Sequence, residues 1–269
     1  PSDMISWWDA DDVLGSTAVD IQGSNDGTLE GDATTDTGKV SNAFALDGDG
    51  DYVGIAHSGL LNLGDDFTLN AWVKQSSLGG VIMSTIDVDT GVRTKGYALG
   101  VNTADTYGRN ANSISLQTGK DAWAWDVWTS ATNSFTADTW HYVVVTVENA
   151  NTASKTVKFY IDGVQSTTTY WTASTEAAMY WGDNANSNRI GSSYSASSPT
   201  YTENYFDGLI DEVSIFNDAL SSTEIDVIYQ SGTSGMCKTT PAQANFTSIS
   251  ANFSRLADPT NTTIDYNYT

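Results

Sequence analysis

Apolar and polar residues alternate with a period of two along most of this chain, in stretches bounded by Gly, Asn, Asp and Ser. Successive side chains of a strand point to opposite faces, so this period predicts strands half-buried against a core. The pattern places strands at 4–9, 27–31, 42–47, 51–56, 66–75, 80–87, 95–102, 112–118, 140–148, 155–163, 187–192 and 205–217. At 66–75, Phe67, Leu69, Ala71 and Val73 alternate with Thr68, Asn70, Trp72 and Lys74. At 155–161, Val157, Phe159 and Ile161 alternate with Lys158 and Tyr160, and the following Asp162-Gly163 reads as a type I′ hairpin turn. One segment carries helical signals. Ser221 and Glu224 fit a capping box, and Leu220, Ile225 and Ile228 make an apolar stripe. Many short strands, Gly-rich turns and one late helix predict an all-β fold, a sandwich or jelly roll.

The run from Phe206 to Ala219, FDGLIDEVSIFNDA, is the most informative piece. Leu209, Val213 and Ile215 stand among Asp207, Asp211 and Glu212, so acidic oxygens crowd one end of an otherwise apolar strand. Clustered carboxylates at such a place are either a hard-cation site or a costly repulsion.

After Gly235 the composition shifts. Lys238, Arg255, Asp258 and Asp265 cancel in the tail, so the chain's net charge of −22 belongs to residues 1–237. The tail also holds four N-glycosylation sequons, at Asn245, Asn252, Asn261 and Asn267. It alternates too: Ile249, Ala251 and Phe253 oppose Ser250, Asn252 and Ser254, and Ile264, Tyr266 and Tyr268 oppose Asp265, Asn267 and Thr269. That pattern predicts a β-like C-terminal extension over 236–269, with a glycosylated stalk as the alternative.

Length allows one large β domain, or one domain plus an appendage. A negative field repels polyanions, which argues against nucleic acid and anionic membrane surfaces as partners. The single cysteine, Cys237, can form no internal disulfide. No apolar run approaches the roughly 20 residues of a membrane span. The chain opens at Pro1 without a signal-like segment, which is the expectation for a processed or trimmed chain.

A set of blocks then occurs in order: ISWWDADD, VDIQGSNDGTLEGDAT, GKVSNAFALDGDGDYVGIAHS, DDFTLNAWVK, WHYVVVTV, KTVKFYIDGV, NRIGSS and YFDGLIDEVSIFNDALSSTEIDVIYQ. Over roughly residues 4–231 the chain resembles the concanavalin A-like, laminin G-like jelly-roll family. The resemblance implies a sandwich of two curved antiparallel sheets. It also implies an extracellular or cell-surface module for glycan binding, adhesion or surface architecture. Against the family pattern, residues 121–134 and 165–186 look like insertions, and the tail has no counterpart.

The resemblance also points to a structural calcium between the loop Asp20-Ile-Gln-Gly-Ser-Asn25-Asp26-Gly27 and the late IDEV strand. Calcium takes six to eight oxygens, and Asp20, Asn25, Asp211 and Glu212 are the candidate donors. A second acidic cluster, Asp47, Asp49 and Asp51, is either a further cation site or a Gly-rich hairpin whose carboxylates accept backbone N–H bonds. For sugar stacking the candidates are the insertion aromatics Trp123, Trp125, Trp171 and Trp181, with Tyr170 and Tyr180 beside the last two, and with loop anchoring or a subunit contact as the alternative. Trp7, Trp72 and Trp140 fall in family core blocks and are expected to pack.

Catalysis is not expected. Related laminarinase-like glycosidases carry E-x-D-x-(x)-E on a strand, and Glu224-Ile-Asp226-Val-Ile-Tyr229 is similar. Here Tyr229 stands where the second carboxylate is needed, and the segment reads as a capped helix. His57 and His141 lack metal-ligand spacing, and no Ser-His-Asp assembly, phosphate loop or zinc pattern is evident. Two readings follow: a glycan-binding adhesion module, or a structural subunit of a filament or S-layer-like assembly that pairs the tail with neighbouring copies.

Overall fold

The computed structural model describes residues 3–77, 79–88, 94–102, 110–119, 125–152, 154–171, 188–193 and 204–236. Two antiparallel sheets pack face to face as a jelly-roll sandwich. The first runs Val164–Ser166, Thr156–Ile161, His141–Glu148, Phe67–Gln75, Asp207–Phe216, Asn42–Asp47, Thr34–Thr37, with Met4–Trp8 also paired to Asp207–Phe216. The second runs Thr169–Tyr170, Trp125–Thr129, Ser113–Gly119, Tyr97–Asn102, Gly80–Ser84, Asn188–Ile190, Tyr52–Ile55, Gly27–Glu30, Thr17–Ala18, Val13–Leu14. Each of the twelve strands expected from the alternation is present, with ends shifted by a few residues.

The alternation places the core. Phe67, Leu69, Ala71 and Val73 face inward with Phe44, Val143, Val145 and Phe159, against Val53, Ile55, Tyr97, Leu99 and Leu116 of the other sheet. Burying one such side chain contributes on the order of 1.5–3 kcal/mol, so this inward row holds the layers together. The opposite row of the same strand is not left to solvent. Thr68 Oγ1 donates to the Asp218 carbonyl, Ser214 Oγ donates to Asn70 Oδ1, and Trp72 stacks on Tyr229 at 5.7 Å between ring centroids. The late helix Ser222–Ser231 thus roofs the outer face of the first sheet. Its capping box is formed as the sequence predicts: Ser221 Oγ accepts from the Glu224 amide, and the Glu224 carboxylate accepts from the Ser221 amide.

Asp162 and Gly163 form the expected type I′ turn, with φ of +52° and +79° between the paired Ile161 and Val164. Gly163 is required twice over. Its φ suits glycine, and a Cβ there would sit 2.9 Å from Tyr229 Cδ1.

Two elements differ from expectation. Part of the 121–134 segment is strand Trp125–Thr129 of the second sheet, and the chain after Val164–Ser166 crosses to that sheet as Thr169–Tyr170. The strand Asp207–Phe216 carries a β-bulge between Asp211 and Ser214, with Glu212 at φ +53°. The extra residue shifts the phase of alternation. Ile210, rather than Leu209, therefore joins Val213 and Ile215 in the core, and Asp211 and Glu212 both fall on the outer face.

Candidate functional site

The bulge is where one strand changes partners. Asp207–Ile210 pairs with Asn42–Asp47, and Val213–Phe216 pairs with Met4–Trp8. The two acids at this switch are deeply buried, Asp211 at 0% exposure and Glu212 at 4%. Asp211 Oδ2 accepts from the Val40 amide at 2.9 Å, under a turn where a Cβ on Gly38 would come within 2.8 Å of it. Among the described residues Asp211 Oδ1 has no hydrogen-bond partner. Glu212 Oε2 accepts from Trp7 Nε1 at 2.9 Å. No ion pair reaches either carboxylate among the described residues. Burial pushes Asp211 up to about 7, with a further push from Asp11, although the Val40, Glu212 and Lys39 amides pull the other way. Burial and then the Asp211 charge push Glu212 up to about 8, with Asp9 and Asp11 adding to it.

Asp20 and Asn25 are engaged differently from the expectation. Asp20 Oδ1 accepts from the amides of Trp7, Gln22 and Gly23, and Oδ2 from the amide of Asn25. Asn25 Nδ2 donates to Ser6 Oγ, and its carbonyl accepts from Trp8 Nε1. Both side chains organise the early loop. Asp20, Asp211 and Glu212 do not bring their oxygens within 4.8 Å of one another, whereas Asp32, Asp47 and Asp51 do.

That second cluster is also rearranged. Asp49 is exposed and its amide donates to Asp47 Oδ1, so Asp32 takes the place expected for it. Asp51 accepts from the amides of Asp32 and Asp47, the hairpin bonding the sequence allowed as an alternative. Burial holds Asp51 above its ordinary range against those bonds. The cluster edges a groove of about 390 Å³ on the outer face of the first sheet, crossed by the row Thr34, Ala45, Leu209 and Lys74.

Aromatic rings gather at an edge of the second sheet. Tyr170 is 46% exposed; it packs on Trp128 with centroids 5.2 Å apart and donates its hydroxyl to Asp126 Oδ1. Burial, then the Asp126 contact, push that hydroxyl's titration upward. Trp171 is 37% exposed, with its amide on the Val127 carbonyl and Nε1 donating to Thr129 Oγ1 at 2.8 Å. Tyr170 meets Trp128 and Asp126 on one face of strand Trp125–Thr129, and Trp171 meets Thr129, whose side chain points to the other face, so the two rings straddle the edge. Trp125 opens the adjoining strand, and its side chain lies outside the described residues, as do Trp123, Trp181 and the sequon residues Asn245, Asn252, Asn261 and Asn267. Trp7 and Trp72 are buried, each at 4%.

Two further features bear on chemistry. Glu224 is occupied in its helix cap, and Asp226 sits on the same helix rather than on a strand. His141 joins an assembly that the sequence did not disclose. Its Nδ1 lies 2.8 Å from Asp162 Oδ2 and its Nε2 lies 2.8 Å from Thr136 Oγ1. The Thr136 amide also donates to Nε2, which makes that nitrogen an acceptor and puts the ring proton on Nδ1. The ring thus staples the 136–141 turn to the turn at Asp162.

A model of the laminin G type, for the concanavalin A-like lectin/glucanases superfamily, matches residues 47–226. The chain belongs to this superfamily. No curated protein matches it. Among solved structures, the laminin G-like chain is similar to domain 4 of AbnA, a GH43 extracellular arabinanase from Geobacillus stearothermophilus solved with arabinotriose. The TM-score is 0.56 at 18% identity, over 84% of this chain and 97% of that one. It is similar to the binding domain of botulinum neurotoxin DC solved with SialylT, with TM-score 0.57, 14% identity, and coverage of 86% and 52%. It is also similar to a Trypanosoma rangeli sialidase mutant displaying trans-sialidase activity, with TM-score 0.55, 15% identity, and coverage of 86% and 33%. The laminin G-like chain therefore spans about half the toxin domain and a third of the sialidase.

Proposed function

We propose that this chain is a non-enzymatic, extracellular glycan-binding module of the laminin G type, acting in adhesion at a cell surface. The observation that carries the reading is the pair Tyr170 and Trp171: two exposed rings, each tethered by a side-chain hydrogen bond, at the edge of a lectin-type sandwich. Sugar C–H faces stack on such rings, and prior tethering lowers the ordering cost of binding. The arabinotriose complex of the arabinanase domain and the SialylT complex of the toxin domain support it by analogy of fold. Binding rather than hydrolysis is favoured because Glu224 is held by Ser221 and Tyr229 packs on Trp72. A glycan array tests the proposal: bound glycans whose signal is lost in Trp171→Ala support it, and silence across neutral and acidic glycans sinks it. Release of reducing sugar from any bound glycan would overturn the non-enzymatic part.

A structural calcium at the bulge belongs to the same proposal. The buried, partnerless Asp211 Oδ1, the adjacent Glu212 and the nearby acids Asp9 and Asp11 are hard oxygen donors in mutual repulsion. A divalent cation supplies the missing charge there and fixes the partner switch of the strand. Asp211 and Glu212 are the central donors in this reading, and Asp20 and Asn25 shape the loop beside them. Calorimetric titration of the intact chain with calcium checks it; no heat in wild type, or equal heat in Asp211→Asn, counts against the site.

A second reading, a subunit of a glycosylated filament or S-layer-like assembly, is favoured by one feature. Strand Thr34–Thr37 is exposed at all four positions and lies at the end of its sheet, an open edge of the kind that pairs with another chain. Sedimentation of the intact chain as a monomer at every soluble concentration would remove it.

A further inference from the structure

We propose that the aromatic edge at Tyr170 and Trp171 takes uncharged glycans and discriminates against those bearing carboxylate or sulfate groups. This rests on the glycan-binding reading above and narrows its ligand class.

The first reason is local. Among the described residues, the basic residue beside the rings is Lys155, which lies 5.7 Å from the centre of the Trp128 ring and 3.5 Å from Asp126 Oδ2. Its side chain is only 8% exposed and that of Asp126 1%. Lys155 therefore neutralises a buried carboxylate and is not presented to a ligand. Asp126 Oδ1 is in turn held by the Tyr170 hydroxyl. A carboxylate-bearing sugar stacked on Tyr170 would approach Asp126 with the Lys155 counter-ion already committed, and it would have to strip Lys155 from that partner. An uncharged sugar faces neither cost.

The second reason is the donor chemistry of the rings. An acidic sugar is fixed by N–H and O–H donors as well as by charge. Trp171 Nε1–H already bonds Thr129 Oγ1, and Tyr170 O–H already bonds Asp126. What the two side chains leave to a ligand is ring surface, which recognises the C–H face of a sugar and is indifferent to charge.

The third reason is the field of the whole chain. Eleven basic residues stand against 33 acidic ones, for a net charge of −22. The other cations with described side chains lie elsewhere: Lys158 on Glu148, Lys39 over Trp72, Arg189 over Tyr52, and Lys74 in the acidic groove. A field of this sign lowers the local concentration of anionic glycans, most strongly at low salt.

The test uses the intact chain on an array of matched pairs, each a neutral oligosaccharide and the same backbone carrying a uronate, sulfate or sialic acid. Pairs that give a signal are then titrated by calorimetry at about 0.02 M and about 0.5 M salt, where screening lengths differ severalfold. The expected result is binding of neutral members with an affinity that hardly changes with salt. Their acidic counterparts bind at least about tenfold more weakly at low salt, and the gap narrows at high salt. Trp171→Ala abolishes neutral binding with an unchanged thermal midpoint, and Trp171→Phe retains part of it. Tighter binding of acidic members, or an affinity for them that falls as salt rises, overturns the neutral-ligand inference while leaving glycan binding intact. Undiminished neutral binding in Trp171→Ala overturns the placement of the ligand. Absence of binding by every member overturns the glycan reading and this inference with it.

Discussion

Replacing Asp211 by Asn should stabilise the protein above neutral pH in the absence of divalent cations. Asp211 is fully buried, its Oδ2 holds the Val40 amide, and its Oδ1 has no hydrogen-bond partner among the described residues. Its pKa rises from 3.8 to about 7 in the fold, and that of Glu212 from 4.5 to about 8. The sign follows directly. Between the unfolded and folded values the native state binds more protons than the unfolded state, so stability falls as pH rises from about 4 through about 8. At about 1.36 kcal/mol per pH unit, the Asp211 difference of roughly three units is worth on the order of 4 kcal/mol. The Glu212 difference is of similar size. The two are not additive, because their mutual repulsion enters both. Asparagine keeps an oxygen for the Val40 amide, carries no charge, and relieves Glu212 as well. In buffer with a chelator, urea unfolding of Asp211→Asn should show a gain on the order of 2–4 kcal/mol at pH 8.5 and almost none at pH 3, below both pKa values. A gain that is equal at the two pH values, or a loss at both, would refute the reasoning: the carboxylate would then be paired or solvated in the native state.

Other outcomes follow from the same geometry. Calcium should raise the thermal midpoint of wild type at pH 8 by several degrees and leave Asp211→Asn unmoved, as read by differential scanning fluorimetry. Ser221→Ala should cost about 1 kcal/mol in urea unfolding, since it removes both hydroxyl contacts of the capping box. Gly163→Ala should cost about 2 kcal/mol, because it combines a left-handed backbone with a Cβ against Tyr229, and Tyr229→Ala in the same background should recover part of that loss.

The sandwich was legible in the sequence because it rests on a local signal. Period-two alternation at Phe67–Val73 and Val157–Ile161 is set by which face meets the core, and it survives without knowledge of partners. The helix was legible for the same reason, since Ser221 and Glu224 satisfy each other within one turn. What failed to show was non-local. Thr34–Thr37 has no apolar face, being an exposed edge strand, so alternation gives no sign of it. Leu209 looked like a core residue because the bulge at Asp211 and Glu212, which restarts the phase at Ile210, depends on the strand's change of neighbour. The acids at that bulge could be read as crowded but not as buried. Asp20 and Asn25 have metal-ligand chemistry, yet their partners are the amides of their own loop and the Met4–Trp8 strand. The Thr136, His141 and Asp162 assembly joins three positions across a hairpin, and no spacing rule links them. Tyr170 and Trp171 were both identifiable as stacking candidates, whereas their tethers to Asp126 and Thr129 required the fold.

The central claim, a sugar platform at the sheet edge, is tested most directly by the indole N–H resonances of the intact chain during titration with a glycan from the array. The account predicts a saturable shift of the Trp171 signal, with the buried Trp8 and Trp72 signals unmoved. A bound glycan that leaves Trp171 unperturbed while shifting resonances beside the acidic groove at Asp47 and Asp51 would contradict it.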